Sequence, residues 1–241
     1  MPLQPVADPV VSVVMIFLNG ENYIREAIES IINQTFHSWE LMLVDDGSTD
    51  SSTQIAQSYA SRFPGRIVYL EHESHCNRGM SASRNLGIRH GRGQFVAFLD
   101  SDDVWLHSKL ERQVALMEMY PEAGMVYGAS LYWHSWTGDP EDAGRDYVPD
   151  PGIPTETLFD PPSLLWKLYP LGPATTPPPS DFLVRRAVVD MVGGFEEHFR
   201  GILQLYDDQA FLVKIYLHTA VFVCSEQWDK YRIHADSCDA V

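Results

Sequence analysis

The chain has 241 residues and 45% of them are hydrophobic, so we expect a folded protein with a sizeable core rather than a disordered one. Lys and Arg number 17 against 33 Asp and Glu, and the net charge of −16 disfavours nucleic acid and anionic membrane surfaces as partners. The sequence contains no long apolar run and no basic, apolar leader, which argues against a transmembrane helix and a secretory signal.

The cysteines point to a reducing compartment. There are three, Cys76, Cys224 and Cys238, and an odd number without regular spacing is not typical of a disulfide framework. We therefore expect free thiols and a cytoplasmic protein, and we assign these cysteines no chemical role.

The first half of the chain alternates between strand and helix patterns. Continuous apolar runs predict buried strands, and apolar residues at helical spacing predict helices between them. The predicted strands lie at 11–17, 40–44, 66–71 and 94–99, and a further helix ends near Pro121. This order is typical of right-handed βαβ units in a parallel sheet, where ligands bind beyond the carboxyl ends of the strands.

The second half has a different composition. Eleven of the sixteen prolines lie between Pro140 and Pro179, which predicts a long irregular loop or lid at about 137–180. Two more strands are predicted at 181–186 and 220–225, with an amphipathic helix between them that begins at Asp207-Asp208.

Two predicted strands end in clusters of acid, VDDGSTD after the second and FLDSDDVW after the fourth. Each cluster alone fits either a helix-capping turn or a ligand site, since Asp and Ser favour both. Both should lie at one rim of the sheet, where like charges repel unless a cation or hydrogen-bond donors are near. A hard divalent ion, Mg²⁺ or Mn²⁺, would best offset this repulsion, because Mg²⁺ binds one or two carboxylates together with water and ligand phosphates.

Seven motifs in order resemble family 2 glycosyltransferases of the GT-A fold, over roughly residues 10 to 237. They are VSVVMIFLN, VDDGSTD, GMSASRNLGI, FLDSDDVW, VRRAVVDMVGGFEE, YDDQAFLVK and YRIHADS. The resemblance implies a single α/β domain with a Rossmann-like, mostly parallel sheet flanked by helices. Residues 1–130 would be its nucleotide-sugar half and 131–241 its acceptor half.

The resemblance also assigns a donor site. The segment from Ile16 to Asn19 resembles the loop that touches the base, although relatives often carry Pro or Thr where Ile16 stands, which leaves its backbone for the contact. Asp46 matches the carboxylate that accepts a hydrogen bond from uracil, with Asp45 beside it. Arg84 resembles a basic residue near the diphosphate, and a surface salt bridge is its alternative.

The remaining site residues follow from the same resemblance. Asp100-Ser101-Asp102 matches the D-x-D motif, with Asp100 near the ribose and Asp102 on the metal. His234 resembles a histidine close to the diphosphate and metal, a surface position being its alternative. Asp208 matches the catalytic base, and a carboxylate that complements a helix dipole is its alternative. Asp103 is expected to cap the following helix.

The implied activity is transfer of a sugar from a nucleoside diphosphate donor, expected to be UDP-linked, to an acceptor hydroxyl. The reaction would be metal-dependent and inverting, on a saccharide, lipid-linked or protein acceptor, with peripheral membrane contact left open. Two rivals remain. A sugar nucleotidyltransferase would carry a Gly-rich basic loop where this chain reads FLNGENYIRE, and a non-catalytic nucleotide-sugar binder would lack the base.

Overall fold

The computed structural model describes residues 8–169 and 172–235, and within them nine strands form one sheet with helices packed on both sides. The strands are β1 (Val11–Phe17), β2 (Trp39–Asp45), β3 (Ile67–Glu71), β4 (Phe95–Phe98), β5 (Val104–Trp105), β6 (Ala123–Trp133), β7 (Thr157–Phe159), β8 (Leu183–Arg185) and β9 (Ala220–Arg232). The helices are α1 (Ile24–Ile32), α2 (Ser52–Arg62), α3 (Met80–His90), α4 (Lys109–Met119), α5 (Leu165–Leu168), α6 (Arg186–Val192) and α7 (Asp207–His218). The predicted single α/β domain is confirmed.

The sheet has the order β3-β2-β1-β4-β8-β6-β9-β5, and β7 pairs with β9. The first four strands are parallel, as the alternation of strand and helix predicts. β8 joins β4 and β6 in antiparallel register, whereas the long ladder between β6 and β9 is parallel. Most paired residues therefore lie in parallel ladders, and the antiparallel strands lie in the second half of the sheet.

The central strand β1 shows why the sheet is buried on both sides. All seven residues of VSVVMIF are buried, and successive side chains point to opposite faces. Val11, Val13, Met15 and Phe17 enter one apolar cluster with α1, whereas Val14 and Ile16 enter a second cluster on the other face. A strand of this kind requires a continuous apolar run rather than an alternating one.

Helix α3 lies unusually close to the sheet. A Cβ atom placed on Gly87 would approach Cγ1 of Val14 to 2.5 Å and Cγ2 of Val44 to 3.2 Å, so a side chain does not fit there without a shift. The glycine thus costs the helix some intrinsic propensity but permits close packing on β1 and β2. This packing fixes the position of Arg84, one turn earlier on the same helix.

Helices in the described ranges are short, with α7 reaching 12 residues. Across these ranges, none combines the length and the apolar character that crossing a bilayer requires.

The second half departs from the sequence expectations in detail. The strand β6, Ala123–Trp133, was not predicted, and the expected boundary near residue 130 falls inside it. β9 continues to Arg232, seven residues beyond the predicted strand at 220–225. The proline-rich segment is largely irregular as predicted, but it contains the short elements β7 and α5.

Candidate active site

The two acidic segments leave the sheet at the same edge, on either side of β1. β2 and β4 both run parallel to β1, with Asp45 opposite Phe17 and Phe98 opposite Val14. The prediction that both clusters lie at one rim is therefore correct. Because β1 separates the two strands, the clusters flank its carboxyl end rather than adjoin each other.

The turn after β2 is stabilised by hydrogen bonds to Asp45. Asp45 is fully buried; its Oδ1 accepts hydrogen bonds from the backbone N–H groups of Gly47 (3.1 Å) and Ser48 (2.8 Å), and its Oδ2 accepts one from Thr53 (2.5 Å). Asp45 therefore stabilises the turn that presents Asp46, and its predicted place beside the nucleotide stays a prediction. Gly47 has a φ of +89°, and a Cβ there would lie 2.9 Å from a backbone nitrogen, which explains the glycine.

Asp46 faces the loop before α3. Its Oδ1 accepts the backbone N–H of Arg78 at 2.7 Å, and its Oδ2 accepts that of Gly79 at 3.1 Å. His72 Nε2 lies 3.7 Å from Oδ1, and burial lowers the pKa of this histidine, which favours its neutral form. A carboxylate has about four acceptor positions, so these bonds leave capacity for one further donor.

The loop predicted to contact the base, Ile16 to Asn19, has one buried end and one exposed end in the structure. Ile16 is buried in the second apolar cluster, so its side chain is not available to a ligand in this arrangement. Asn19 is exposed with a φ of 54°, and its Oδ1 accepts the backbone N–H of Thr49 at 2.7 Å. Its amide therefore ties the loop after β1 to the turn after β2.

Arg84 links three segments that are far apart in the sequence. Its Nη1 donates to both oxygens of Asp207, at 2.8 and 2.7 Å, and its Nη2 donates to Asp100 Oδ1 at 3.0 Å. Ser81 donates to Asp207 Oδ2 at 3.0 Å. Arg84 is only 3% exposed, so the surface salt bridge is excluded, and the guanidinium neutralises two aspartates rather than projecting as an open cation. A diphosphate contact by Arg84, as predicted, would require one of these bonds to open.

Asp208 is the second residue of α7 and follows Asp207 of this ion pair. It is partly buried, and its Oδ1 accepts the backbone N–H of Gln209 at 2.6 Å. Burial raises the pKa of Asp208 to about 6, the positive charge of Arg84 opposes that shift, and the negative charge of Asp207 adds to it. A carboxylate with this pKa is mostly ionised at neutral pH yet can hold a proton for a short time, which is the property of a general base.

His234 lies against Asp102. Its Nε2 is 3.0 Å from Asp102 Oδ2, and its side chain is only 7% exposed, so the alternative of a surface histidine is excluded. Arg232, two residues earlier, donates from Nε to the Asp102 carbonyl oxygen at 2.6 Å. The Arg232 guanidinium also lies over the rings of Trp133 and Trp136, at 4.6 and 5.1 Å from their centroids. These contacts fix the end of β9 against the D-x-D turn.

Asp103 does not cap α4, contrary to the expectation from sequence. It is fully buried, accepts the hydroxyl of Ser180 at Oδ2 (2.6 Å) and accepts the backbone N–H of Arg232 at Oδ1 (2.9 Å). Ser180 Oγ in turn accepts the backbone N–H of Asp100 at 3.1 Å. Asp103 therefore connects the D-x-D turn to Ser180, in the segment before β8, and to the end of β9. Burial and the neighbouring acids raise its pKa well above the ordinary value.

The possible metal ligands at this edge suit a hard cation that takes several of its ligands from water and substrate, rather than an ion enclosed by protein side chains. Across the ranges that the structure describes, no group of three or more His, Cys, Asp or Glu side chains is arranged to enclose a metal ion. Asp102 and His234 supply two potential ligands, and His234 Nδ1 is buried without a hydrogen-bond partner in those ranges. Mg²⁺ commonly uses one or two carboxylates and takes its other ligands from water and substrate phosphates, so an incomplete set of protein ligands suits it.

A comparison with known protein families identifies the chain. The family described as Glycosyl transferase family 2 matches residues 12–155, which is more than half of the sequence. The chain belongs to glycosyltransferase family 2. The matched range contains both acidic turns, Arg84 and the whole of the D-x-D motif.

Two bacterial proteins are among the curated relatives of this family 2 glycosyltransferase. The putative glycosyltransferase EpsE of Bacillus subtilis is 36% identical over 145 residues, covering 60% of this chain and 51% of EpsE. The Escherichia coli protein WfgD, named as a UDP-Glc:alpha-D-GlcNAc-diphosphoundecaprenol beta-1,3-glucosyltransferase, is 36% identical over 110 residues, covering 46% and 42% of the two chains. The match thus spans about half of these relatives or less.

Solved structures show the same fold. Residues 1–349 of S. aureus TarS, in complex with UDP-GlcNAc, align with a TM-score of 0.73 at 24% identity, covering 94% of this chain and 59% of that one. The mannosyltransferase PcManGT of Pyrobaculum calidifontis, in complex with GDP-Man and Mn²⁺, aligns with a TM-score of 0.67 at 18% identity, covering 97% and 60%. At these identities the similarity establishes the GT-A type of fold.

The structure of this glycosyltransferase therefore places most of the predicted site residues at one edge of the sheet. Arg84 contacts Asp100 and Asp207, the neighbour of Asp208, and Asp102 contacts His234. Asp46 lies in the turn after β2, and Asn19 lies in the loop after β1. The sequence analysis gave no role to Asp207 or Ser180. No local pattern marks the role of Asp207, because its partner Arg84 lies 123 positions earlier in the sequence.

Proposed function

We propose that this family 2 glycosyltransferase transfers a sugar from a UDP-linked donor to an acceptor hydroxyl, with inversion at the anomeric carbon. The observation that carries the proposal is the ion-pair chain from Asp207 through Arg84 to Asp100, which sets Asp208 beside the D-x-D turn. A transferase needs a base and a diphosphate site next to each other, and this arrangement supplies both candidates.

In the proposed donor site the nucleotide lies across the carboxyl end of β1. Asp46 would accept the N–H of uracil with its remaining acceptor capacity, and Asn19 would border the base. Asp100 would accept a ribose hydroxyl. Asp45 would act behind Asp46, by holding the turn that presents it.

Asp102 and His234 would hold Mn²⁺ or Mg²⁺. When bound, the ion supplies positive charge to the diphosphate leaving group. Arg232 and Asp103 support this pair, since Arg232 holds the Asp102 backbone while Asp103 holds the backbone of Arg232. The Mn²⁺ in PcManGT agrees with a divalent ion of this class.

Asp208 would take the acceptor proton. The acceptor oxygen forms its bond to the anomeric carbon from one face as the bond from that carbon to the diphosphate oxygen breaks on the other. The hydroxyl proton moves to the Asp208 carboxylate, and UDP carries away the bonding electrons. A single displacement of this kind inverts the anomeric carbon and requires one carboxylate base.

The proposed location is the cytoplasm. Within the described ranges Cys76 and Cys224 are free thiols, and burial raises the pKa of Cys224 to about 12, so it is unreactive. Cys238 lies outside the described residues. The acceptor is proposed as a saccharide hydroxyl, whether free, lipid-linked or protein-linked.

The test is nucleotide release. The purified chain is incubated with UDP-glucose, UDP-galactose, UDP-GlcNAc or GDP-mannose, with Mn²⁺, Mg²⁺ or EDTA, and the released nucleotide is measured. Slow metal-dependent release of UDP from one UDP-sugar is expected, and Asp208→Asn should abolish it. A pure binder would release nothing from any donor. A nucleotidyltransferase would instead release pyrophosphate when given UTP and a sugar 1-phosphate.

A further inference from the structure

His234 reaches Asp102 from the segment that follows the last strand. The ladder between β6 and β9 ends with Trp133 opposite Arg232, so Ile233 and His234 lie beyond its last paired residue. The backbone N–H of Ile233 still donates to the carbonyl oxygen of Trp133, at 3.2 Å. Because the ladder stops here, the position of the imidazole depends on the side chains that surround this segment.

Trp136 contacts each of the three residues 232–234. Its indole Nε1 donates a hydrogen bond to the carbonyl oxygen of Ile233 at 2.8 Å. Its ring centroid lies 5.1 Å from the guanidinium carbon of Arg232 and 6.3 Å from the ring centroid of His234, which it meets edge to face. One side chain therefore contacts a backbone carbonyl, a cation and an imidazole in consecutive residues.

Tyr23 packs against the same imidazole from the start of α1. Its ring centroid lies 4.6 Å from that of His234 and 5.7 Å from that of Trp136, and the guanidinium carbon of Arg232 lies 5.1 Å from it. The imidazole thus lies against two aromatic rings while its Nε2 faces Asp102 Oδ2 at 3.0 Å. Aromatic contacts depend on ring geometry, so these two restrict how the imidazole can turn.

The turn that carries Trp136 is held by a carboxylate of the proline-rich segment. Asp146 Oδ1 accepts the backbone N–H groups of His134 and Ser135, at 2.7 and 2.8 Å, and Asp146 Oδ2 accepts the Ser135 hydroxyl at 2.6 Å. The hydrogen bonds from Ser135 lower the pKa of Asp146, so this carboxylate is ionised at neutral pH. A continuous chain of contacts therefore runs from the proline-rich segment through Trp136 to His234.

Packing alone could place a tryptophan here, since an indole buries a large apolar area. Packing does not explain why the polar atom of the Trp136 indole meets the carbonyl of Ile233. The residues on both sides of Ile233 hold Asp102: Arg232 Nε donates to its carbonyl oxygen at 2.6 Å, and His234 Nε2 faces its carboxylate. The indole therefore fixes the peptide between the two residues that contact Asp102.

We propose that Trp136 is a positioning residue that holds His234 against Asp102 and so raises the affinity of this pair for Mn²⁺ or Mg²⁺; the ion itself rests on the proposed function. Trp136 acts through His234 rather than by contact with the ion or the nucleotide. Partners that orient a metal ligand commonly change metal affinity by about 10- to 100-fold.

Calorimetry with UDP, in the presence and absence of Mn²⁺, tests the proposal. Trp136→Ala should weaken the Mn²⁺-dependent part of UDP binding by about 10- to 100-fold, and Trp136→Phe, which keeps a ring but loses the N–H donor, by about 2- to 10-fold. The matched control is Trp166→Ala in α5, at a side chain that is 69% exposed, and it should bind as wild type does. Metal-free binding of UDP should be unchanged in all three. Mn²⁺-dependent binding of wild-type strength in Trp136→Ala, or an equal loss of metal-free binding, would overturn the proposal.

A double variant separates positioning from a general structural role. If Trp136 acts through His234, Trp136→Ala should weaken Mn²⁺-dependent binding by less than about twofold when His234→Gln is already present. The full 10- to 100-fold loss in both backgrounds would show that the indole supports the fold as a whole, and would overturn the proposal. Should Trp136→Ala fail to fold, Asp146→Ala loosens the same turn with the indole in place and should lower Mn²⁺-dependent affinity by about 2- to 10-fold.

A measurement without metal tests the contact itself. The imidazole proton signal of His234, identified by its absence in His234→Gln, should move in Trp136→Ala toward the position of an unstacked histidine and stay in place in Trp166→Ala. An unmoved signal in Trp136→Ala would overturn the proposal.

The failure of this proposal and the failure of the proposed function give different results. Wild type without any Mn²⁺-dependent UDP binding would refute the metal-dependent reaction and, with it, the role of Trp136. Mn²⁺-dependent binding in wild type that Trp136→Ala leaves intact would refute the role of Trp136 alone.

Discussion

Arg84 and Asp207 form a buried ion pair in which one nitrogen of the guanidinium contacts both carboxylate oxygens, at 2.8 and 2.7 Å. The two residues are 123 positions apart, so the pair joins α3 in the first half of the chain to α7 in the second. The two carboxylates beside Arg84 outweigh the effect of its burial and raise its pKa, so the residue stays charged at all relevant pH values. The proposed base therefore lies next to an ion pair whose arginine stays charged.

The first prediction concerns this pair. Asp207→Ala should lower the free energy of unfolding by about 3 kcal/mol, because a buried cation loses one of its two partners. Chemical denaturation measures the change. Glu118→Ala, at an exposed residue of α4, should change stability by less than about 0.5 kcal/mol. A loss below about 1 kcal/mol for Asp207→Ala would show that the pair does not brace α3 against α7.

The second prediction concerns pH. Because the pKa of Asp208 is raised to about 6, the base is protonated below that value and ionised above it. The kcat/KM for transfer should therefore rise with pH through about 6 and then level off. Asp208→Asn should bind donor normally, lose about 10²- to 10⁴-fold in kcat and lose the step at pH 6. Normal turnover in this variant, or a wild-type step near pH 4, would remove Asp208 from the role of base.

The third prediction concerns the metal. Asp102→Ala should abolish the Mn²⁺-dependent part of UDP binding and leave the weak metal-free binding unchanged, as measured by calorimetry with and without Mn²⁺. His234→Gln should weaken the Mn²⁺-dependent part by about 10- to 100-fold, since it removes the second of the two proposed ligands. Mn²⁺-dependent binding of normal strength in Asp102→Ala would show that the ion is held elsewhere.

The fourth prediction concerns Ser180, which bridges Asp103 and the backbone of Asp100. Ser180→Ala leaves a buried carboxylate and an N–H without this partner, so stability should fall by about 1–3 kcal/mol and the donor KM should rise. Ser180→Thr keeps the hydroxyl and should restore the donor KM. If Ser180→Ala loses stability while its donor KM stays at the wild-type value, the bridge supports the fold without positioning the D-x-D turn.

The fifth prediction concerns the packing of α3. Gly87→Ala gains about 1 kcal/mol of helix propensity, but its methyl group collides with Val14 and Val44 in the buried sheet. The expected net effect is a loss of about 1–3 kcal/mol, as for other overpacked cores. Thermal unfolding measures the sign, and a more stable variant would contradict the close contact between α3 and β1.

The sequence predicted the first half of the fold well because its signals are local. A run such as VSVVMIF is buried on both faces, and the motifs between strands contain their own turn residues. β6 was missed because its polar residues and two glycines, in AGMVYGASLYW, interrupt the apolar pattern, and its place in the sheet depends on pairing with β9 about 100 residues later. Long-range pairing of this kind is not visible in local periodicity.

The candidate site was predicted in part for the same reason. The acids that follow β2 and β4 were found because they come directly after recognisable strands. The functions of Asp207, Ser180 and Asp103 depend on partners 77 to 129 positions away, such as Ser180 for Asp103 and Arg232 for the same carboxylate. Asp103 was therefore assigned to the nearest helix, although the structure uses it to connect distant strands.

The most direct test of the central claim is an anomalous diffraction map, recorded at the manganese edge, of crystals grown with UDP and Mn²⁺. The account predicts one manganese peak within about 2–2.3 Å of the Asp102 carboxylate, bridging to the diphosphate, with the uracil ring at Asp46. Manganese bound away from Asp102, or a nucleotide that contacts neither turn flanking β1, would contradict it.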